Sequence, residues 1–365
     1  MMEFRIKQSE LLRCLQRVQG FLSPKNQILS HVLFKTAKEG VEAFATDFDI
    51  GLKGIYIAAV TEPGAVALQG RRLFDIVRQL PDEEVSFRFA GPGRCEVTCG
   101  KSAFKLATID VEEFPEEPKL PMEKLISLDT EMFKDMLKKT VYAVSQNESR
   151  MTLNGINLEL FSNAIRVVAT DGHRLAYVNR AVELPVKDTS SVIIARKAVM
   201  EIVKLLDEEE GALQVVRADN RVFFKKGGLI FFTREVEGTF PNYEQVIPRK
   251  NTKEAVINIE RARHAIKRVA TVADEKSRLV NFSFKKGKLE IFCEVSDVGE
   301  AHEEIEVEYK AEPLRVGLNS AYVIETLGHI TSENVIFRME GQLDAVLVKP
   351  TNDDDYLSII MPMRI

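Results

Sequence analysis

The residues best suited to chemistry in this 365-residue chain lie at Asp171-Gly172-His173-Arg174. An aspartate can orient a histidine, and an adjacent arginine can hold an anion. The chain has only five histidines, so the grouping stands out. A second reading is available. Asp-Gly between the apolar runs Val168-Ala169 and Leu175-Ala176 is a turn signal, because glycine accepts positive φ without steric cost. Asp47 and Asp49 form a further carboxylate pair with the spacing of a metal site. Yet Ala45-Thr46-Asp47 echoes Ala169-Thr170-Asp171, and a feature that recurs along a chain belongs more naturally to a scaffold. His31, His264, His302 and His329 have no partner pattern. The phosphate-binding Gly-x4-Gly-Lys-Ser/Thr motif, the dinucleotide fingerprint, His-Glu-x2-His and Gly-x-Ser-x-Gly are all absent. Cys14, Cys95, Cys99 and Cys293 are scattered and complete no zinc site, so reduced structural thiols are expected. The chain is expected to be neither an enzyme nor a holder of a metal or cofactor.

The elements that carry these residues recur three times. Glu3-Phe4-Arg5-Ile6-Lys7 alternates like a strand and is followed by Ser9, a candidate N-cap, and a helical stripe of Leu11, Leu12, Leu15 and Val18. Lys124–Leu128 repeats the strand, with Asp129 or Thr130 as cap and Met132, Phe133, Met136, Leu137 and Val141 as stripe. Glu254–Ile259 repeats it again before Ala262, Ala265, Ile266 and Val269. A second helix recurs at Gly70–Val77, Ala195–Val203 and Asn319–Ile324. Glu113-Phe114-Pro115 returns as Thr239-Phe240-Pro241, an offset near that of the second helices. Val222–Phe224 and Leu229–Phe232 flank Gly227-Gly228, a hairpin signal. Joints rich in proline and charge fall at 115–121 and 248–253. The repeat predicts three α+β domains, over 1–122, 123–250 and 251–365, each strand-rich with two helices.

Six helices are expected, over 9–19, 71–80, 131–144, 196–206, 260–272 and 320–330. Together they hold 15 basic and 7 acidic residues, a net +8 in a chain whose net charge is −5. The remainder therefore carries −13. Concentration of positive charge on one class of element suits phosphate contact without base reading. No zinc finger, helix-turn-helix spacing or aromatic strand motif for bases is present. The first residues alternate, no signal peptide is expected, and no apolar run approaches the ~18 residues of a membrane span. A cytoplasmic location is expected.

The chain resembles the bacterial DNA polymerase III beta subunit, the sliding-clamp family, over its whole length. The most specific marks are Ala169–Ala176, Phe240-Pro241-Asn242-Tyr243 and Ile360-Met361-Pro362-Met363-Arg364-Ile365. The resemblance implies a head-to-tail homodimer closed into a six-domain ring, with helices inside and β-sheets outside. Such a ring is a processivity factor that encircles duplex DNA, slides without sequence specificity and works near the nucleoid. It implies partners that dock through short linear motifs: the replicative polymerase alpha subunit, the clamp loader, other polymerases, and mismatch-repair or ligase proteins.

Carried over by resemblance, the peptide groove comprises Leu153, Thr170, Gly172, His173, Arg174, Leu175, Pro241, Val246, Asn319, Tyr322, Val346, Ile359, Ile360, Met361, Pro362, Met363 and Arg364. Leu, Val, Ile and Met supply an adaptable apolar surface, and polar groups fix the register of a peptide. The DNA-facing residues are Lys25, Arg72, Asn147, Arg150, Arg196 and Lys197. The dimer contact pairs Lys101, Phe104, Lys105 and Leu106 on an edge strand with Thr271, Val272, Glu300, Glu303 and Glu304. Two departures bear on partner preference: Gln245 stands where the family can have arginine, and Ser277 replaces an aromatic.

Overall fold

Alternating apolar residues become strands and the i, i+3, i+4 stripes become helices, in a computed structural model that describes residues 2–91, 93–147, 149–186 and 188–365. The helices are α1 (Gln8–Val18), α2 (Gly70–Val77), α3 (Thr130–Lys138), α4 (Arg196–Glu208), α5 (Ile259–Val269) and α6 (Ser320–Gly328). Asn258, Asn319 and Gln69 cap α5, α6 and α2 with side-chain oxygens, and Asp129 accepts from Met132 at the start of α3. Ser9 is not the cap of α1. That helix begins at Gln8, and its N-cap position, Lys7, makes no side-chain capping bond.

The helix expected over 131–144 ends at Lys138. The Thr140 hydroxyl turns back onto the Met136 carbonyl at 2.8 Å, and one 3-10 turn, Val141–Ala143, follows. A β-branched residue that bonds its own backbone weakens helix propagation. These bounds correct the charge tally. Arg78 and Lys139 fall outside the helices, while Asp207 and Glu208 fall inside α4. The six helices then hold 13 basic and 9 acidic residues, a net +4, of which α5 alone supplies +3.

The chain forms two compact units, Met1–Met132 with Met200–Glu235 and Phe133–Val199 with Val236–Ile365. The first is built on one 13-stranded sheet, in which strand Ile50–Tyr56 pairs with Gly40–Thr46 on one side and Leu229–Arg234 on the other. Its core includes Phe4 stacked on Phe87 at 4.5 Å. Phe114, from the proline-rich joint, is buried with Phe44, Phe223 and Phe232. The second unit has a nine-stranded sheet and a four-stranded sheet. In the larger one, strand Arg174–Ala181 lies between Ala164–Thr170 and Tyr356–Ile360. The pairings of Ile50–Tyr56 with Leu229–Arg234 and of Arg174–Ala181 with Tyr356–Ile360 join segments from different repeats, and each covers a backbone edge that would otherwise stand open.

Two partly open edges carry expected dimer residues. In the first unit, Ser102–Ile109 pairs along its length with Arg94–Cys99, and its other side meets Ala65–Gln69 only at Thr108 and Ile109. In the second, Gly299–Glu306 is the outer strand of the four-stranded sheet. All four cysteines are buried free thiols. Burial pushes Cys14 and Cys95 up to about 12. No group of three or more metal-ligating side chains occurs among the described residues, and no helix there is long and apolar enough to cross a membrane.

Candidate peptide-binding groove

Asp171-Gly172-His173 is the turn between strands Ala164–Thr170 and Arg174–Ala181. Gly172 has φ +89°, a conformation that favours glycine. The Asp171 carboxylate accepts the backbone N–H groups of His173 (2.9 Å) and Arg174 (3.0 Å) through Oδ1. Thr170 Oγ1 donates to the Arg174 carbonyl at 2.6 Å and accepts from Gly172 N at 3.1 Å. Asp171 is thus spent on closing the turn and does not orient His173. The first unit repeats the template. Asp47 Oδ1 accepts from Asp49 and Ile50, and Thr46 Oγ1 donates to the Ile50 carbonyl and accepts from Phe48 N. The metal-type spacing of Asp47 and Asp49 is therefore turn chemistry.

Arg174 is buried, and its donors are committed. Nε meets Asp171 Oδ2 at 3.1 Å, Nη1 meets Glu325 Oε2 at 2.6 Å, and Nη2 donates to the Tyr142 carbonyl at 2.8 Å. The guanidinium lies over the rings of Tyr322 (4.6 Å) and Tyr142 (5.3 Å). It fastens the turn to α6, with each of its three nitrogens already engaged. Exposed His173 lies beside Tyr322, ring centroids 6.4 Å apart. Asn319 is likewise committed, accepting from Ala321 N and Tyr322 N while its amide donates to the Ser277 carbonyl.

The Met-Pro-Met segment is held by backbone. Strand Tyr356–Ile360 lies between Arg174–Ala181 and Val346–Pro350. Met361 N then donates to the His173 carbonyl at 2.9 Å, and Met363 N to the Gly317 carbonyl at 2.8 Å. Gly317 makes the second approach possible, because a Cβ there would lie 3.0 Å from the Met363 carbonyl oxygen and 2.9 Å from Ile365. Pro362 and Met363 are half-buried, Arg364 is exposed, and Met361 is 39% exposed.

The expected groove residues divide by depth. Leu175, Val346, Ile359 and Ile360 are core, and Leu175 and Ile359 pack with Val168, Tyr243 and Leu347. They shape the floor from below and present almost no surface. Leu153 and Thr170 are half-buried, whereas Pro241, Val246 and Met361 are open to solvent. Tyr243 anchors the Phe240–Tyr243 segment: its hydroxyl donates to Glu159 at 2.7 Å and accepts from Arg166 at 2.8 Å. Burial raises its pKa. The open depression in this part of the unit has a volume of about 840 Å³ and is bordered by Gln245, Val246 and Met361. It is also bordered by Ile247–Asn251, Asp344 and Ala345, which the sequence reading leaves out. The only sequence signal for these residues is the charged joint at 248–253.

Of the expected DNA-facing residues, Lys25 and Arg72 are exposed in the first unit, on a turn and on α2. In the second, Arg196 and Lys197 are exposed at the start of α4, and Asn147 accepts from Ser149. Arg150 donates from Nη1 to the Asp171 carbonyl at 3.1 Å, which ties it to the groove turn. Of the expected dimer residues, Lys101 and Lys105 are exposed and Phe104 and Leu106 half-buried, at the open edge of the first unit. Thr271 and Glu300 are exposed and Val272 half-buried. Glu303 is paired within its own unit to Arg268, at 2.5 and 3.0 Å, and Glu304 to Lys288 at 2.8 Å. These two carboxylates are therefore less available to a second chain than their charge suggests.

The DNA polymerase III beta subunit domains match end to end: the N-terminal domain over residues 2–119, the central over 127–242 and the C-terminal over 244–364. The chain belongs to the DNA polymerase III beta subunit family. A beta sliding clamp of Pseudomonas aeruginosa is 31% identical over 367 residues and one of Caulobacter vibrioides 30% over 372, with all of each chain covered. The crystal structure of the Pseudomonas aeruginosa DNA polymerase III subunit beta superposes with a TM-score of 0.95 at 32% identity, covering both chains fully. A DnaN sliding clamp from Bartonella birtlesii bound to griselimycin gives 0.95 at 30%, again with full coverage. The chain thus has three clamp domains of mixed helix and sheet and is a processivity factor for DNA replication, a non-catalytic subunit. That agrees with the spent carboxylate of Asp171.

Proposed function

We propose that two copies of this chain close head to tail into a six-domain ring around duplex DNA and tether partner proteins by short linear peptides. The observation that carries the groove is the seating of Met361–Met363. Backbone bonds to His173 and Gly317 fix the segment while Met361 stays open beside Val246. Leu153, Thr170, Pro241, Tyr322, Pro362 and Arg364 complete its wall, over the buried floor of Leu175, Val346, Ile359 and Ile360. Fixed backbone with flexible methionine side chains lets one groove serve several partners. Those partners are the replicative polymerase, the clamp loader, other polymerases, and mismatch-repair or ligase proteins.

The domains divide at 122 and 250. Lys25, Arg72, Asn147, Arg196 and Lys197 meet DNA phosphates, with Arg150 shared between that face and the groove. Direct affinity for DNA is weak and salt-screened, since the grip is topological. The edge strands Ser102–Ile109 of one copy and Gly299–Glu306 of the next join the ring, Lys101 and Lys105 facing Glu300 and its neighbours. The protein works in the cytoplasm at the nucleoid. After loading, it should stay on nicked circular duplex and run off the same DNA once linearised. Equal retention on both would overturn the ring. A Gln-x-x-Leu-Phe-type peptide should bind the intact chain and not one lacking Met361 to Ile365.

A further inference from the structure

The 840 Å³ depression is larger than the rim of Met361 and Val246 requires, and its lining includes the charged residues Glu244, Arg249, Lys250, Glu340 and Asp344. We infer that the groove continues past Met361 as a trough for an acidic flank of the docking peptide, read by Arg249 and Lys250. This inference rests on the peptide-groove reading and extends it.

The trough is preformed. Asn251 Nδ2 donates to the carbonyls of Arg338 and Ala345, both at 2.9 Å, which ties the 248–251 wall to the opposite 340–345 wall. Its charges are unevenly committed. Glu340 accepts from Thr252 N (2.9 Å), Thr252 Oγ1 (2.7 Å) and Lys253 Nζ (3.3 Å). Glu244 lies 3.4 Å from Arg166. Arg249 and Lys250 are exposed and have no ion-pair partner among the described residues. Asp344 is the one lining carboxylate without such a partner there. The open charge is therefore two positive against one negative. Continuity with the groove sets the occupant: chain that leaves the motif at Met361 passes between these walls, and a carboxylate on it meets the two cations. Gln245, also in the lining, is neutral and leaves charge reading to Arg249 and Lys250.

The test compares a core Gln-x-x-Leu-Phe peptide with versions extended at either end by four residues carrying Asp/Glu or Lys. Each is titrated against the full-length chain and its Arg249→Glu/Lys250→Glu variant. One acidic extension should bind about three- to tenfold tighter than its basic counterpart, as two exposed ion pairs allow. The variant should reverse that order and leave the core peptide unchanged. Arg249→Gln/Lys250→Gln should remove the preference without reversing it. Equal affinities for acidic and basic extensions, or a preference that survives the variant, overturns the trough. A variant that weakens DNA retention and leaves the peptide preference intact assigns the pair to phosphates, and the inference fails. If the core peptide does not bind the intact chain, the groove reading falls, and the trough with it.

Discussion

The turns at Thr46–Ile50 and Thr170–Arg174 share one hydrogen-bond template and have come to differ in use. Both spend a threonine hydroxyl and an aspartate carboxylate on the same backbone groups. Even the next contact is shared: Arg234 N donates to the Asp49 carbonyl at 2.7 Å, as Met361 N does to His173. What differs is side chain. The first turn holds Phe48 at φ +78°, and the residues after its partner strand are charged, with Glu235 paired to Arg217 at 2.6 Å. The second has Gly172, a buried arginine and an apolar Met-Pro-Met. A repeated backbone supplies a platform, and the side chains set on it differ: an exposed Phe48 at one turn, Met361 and Val246 near the other.

The largest effect that separates the two turns should come from deleting Met361–Ile365. Peptide binding should fall on the order of 100-fold, as for loss of a hot-spot cluster, with circular dichroism unchanged. An unchanged affinity would remove the distinction. Arg174→Ala should cost about 2–3 kcal/mol in urea unfolding, because it strands the Asp171 turn and two carbonyl or carboxylate partners; Glu325 is half-exposed, which keeps the loss at the lower end. The equivalent residue of the first turn, Ile50, has no such network to lose. Substitutions at the third turn position should move in opposite directions, each by about 1 kcal/mol. Gly172→Ala destabilises, since φ is positive and the new Cβ would meet Arg150 Nη1 at 2.9 Å. Phe48→Gly stabilises, since the ring is exposed and the backbone strain is relieved.

The smallest effect concerns the strand leading to Met361. Burial works against the Asp353 charge, but Arg180 at 2.6 Å and Lys139 at 3.2 Å outweigh it and hold the carboxyl below its usual range. Stability from this network is present above the ordinary aspartate pKa and is lost as pH falls through the lower folded value. Asp353→Asn should therefore cost up to about 1 kcal/mol at pH 7. The difference from the parent chain should shrink towards zero as pH is lowered through the acid range.

Much of this was legible in residue order. Strand and helix periodicity placed all six helices, five of them within three residues at each end, and Gly227-Gly228 marked its hairpin. The misses are of two kinds. Helix ends were misjudged where a threonine hydroxyl or a cap decides locally, as at Thr140 and Ser9. Burial depth along the expected groove residues is the second. Leu175, Val346, Ile359 and Ile360 have the right chemistry for a groove wall and are core, while Asp344 and Arg249 have no motif and are exposed.

The sequence by itself determined the repeat, the turn chemistry at Thr46 and Thr170, and the apolar character of the last residues. Those depend on contacts within a few positions and on side-chain type. The tertiary structure alone decided that Arg174 is a fastener, that Arg150 reaches the Asp171 carbonyl, and that Glu303 is engaged by Arg268. A charged group's role is set by which partners other segments bring within about 3–4 Å, and no local pattern encodes that distance.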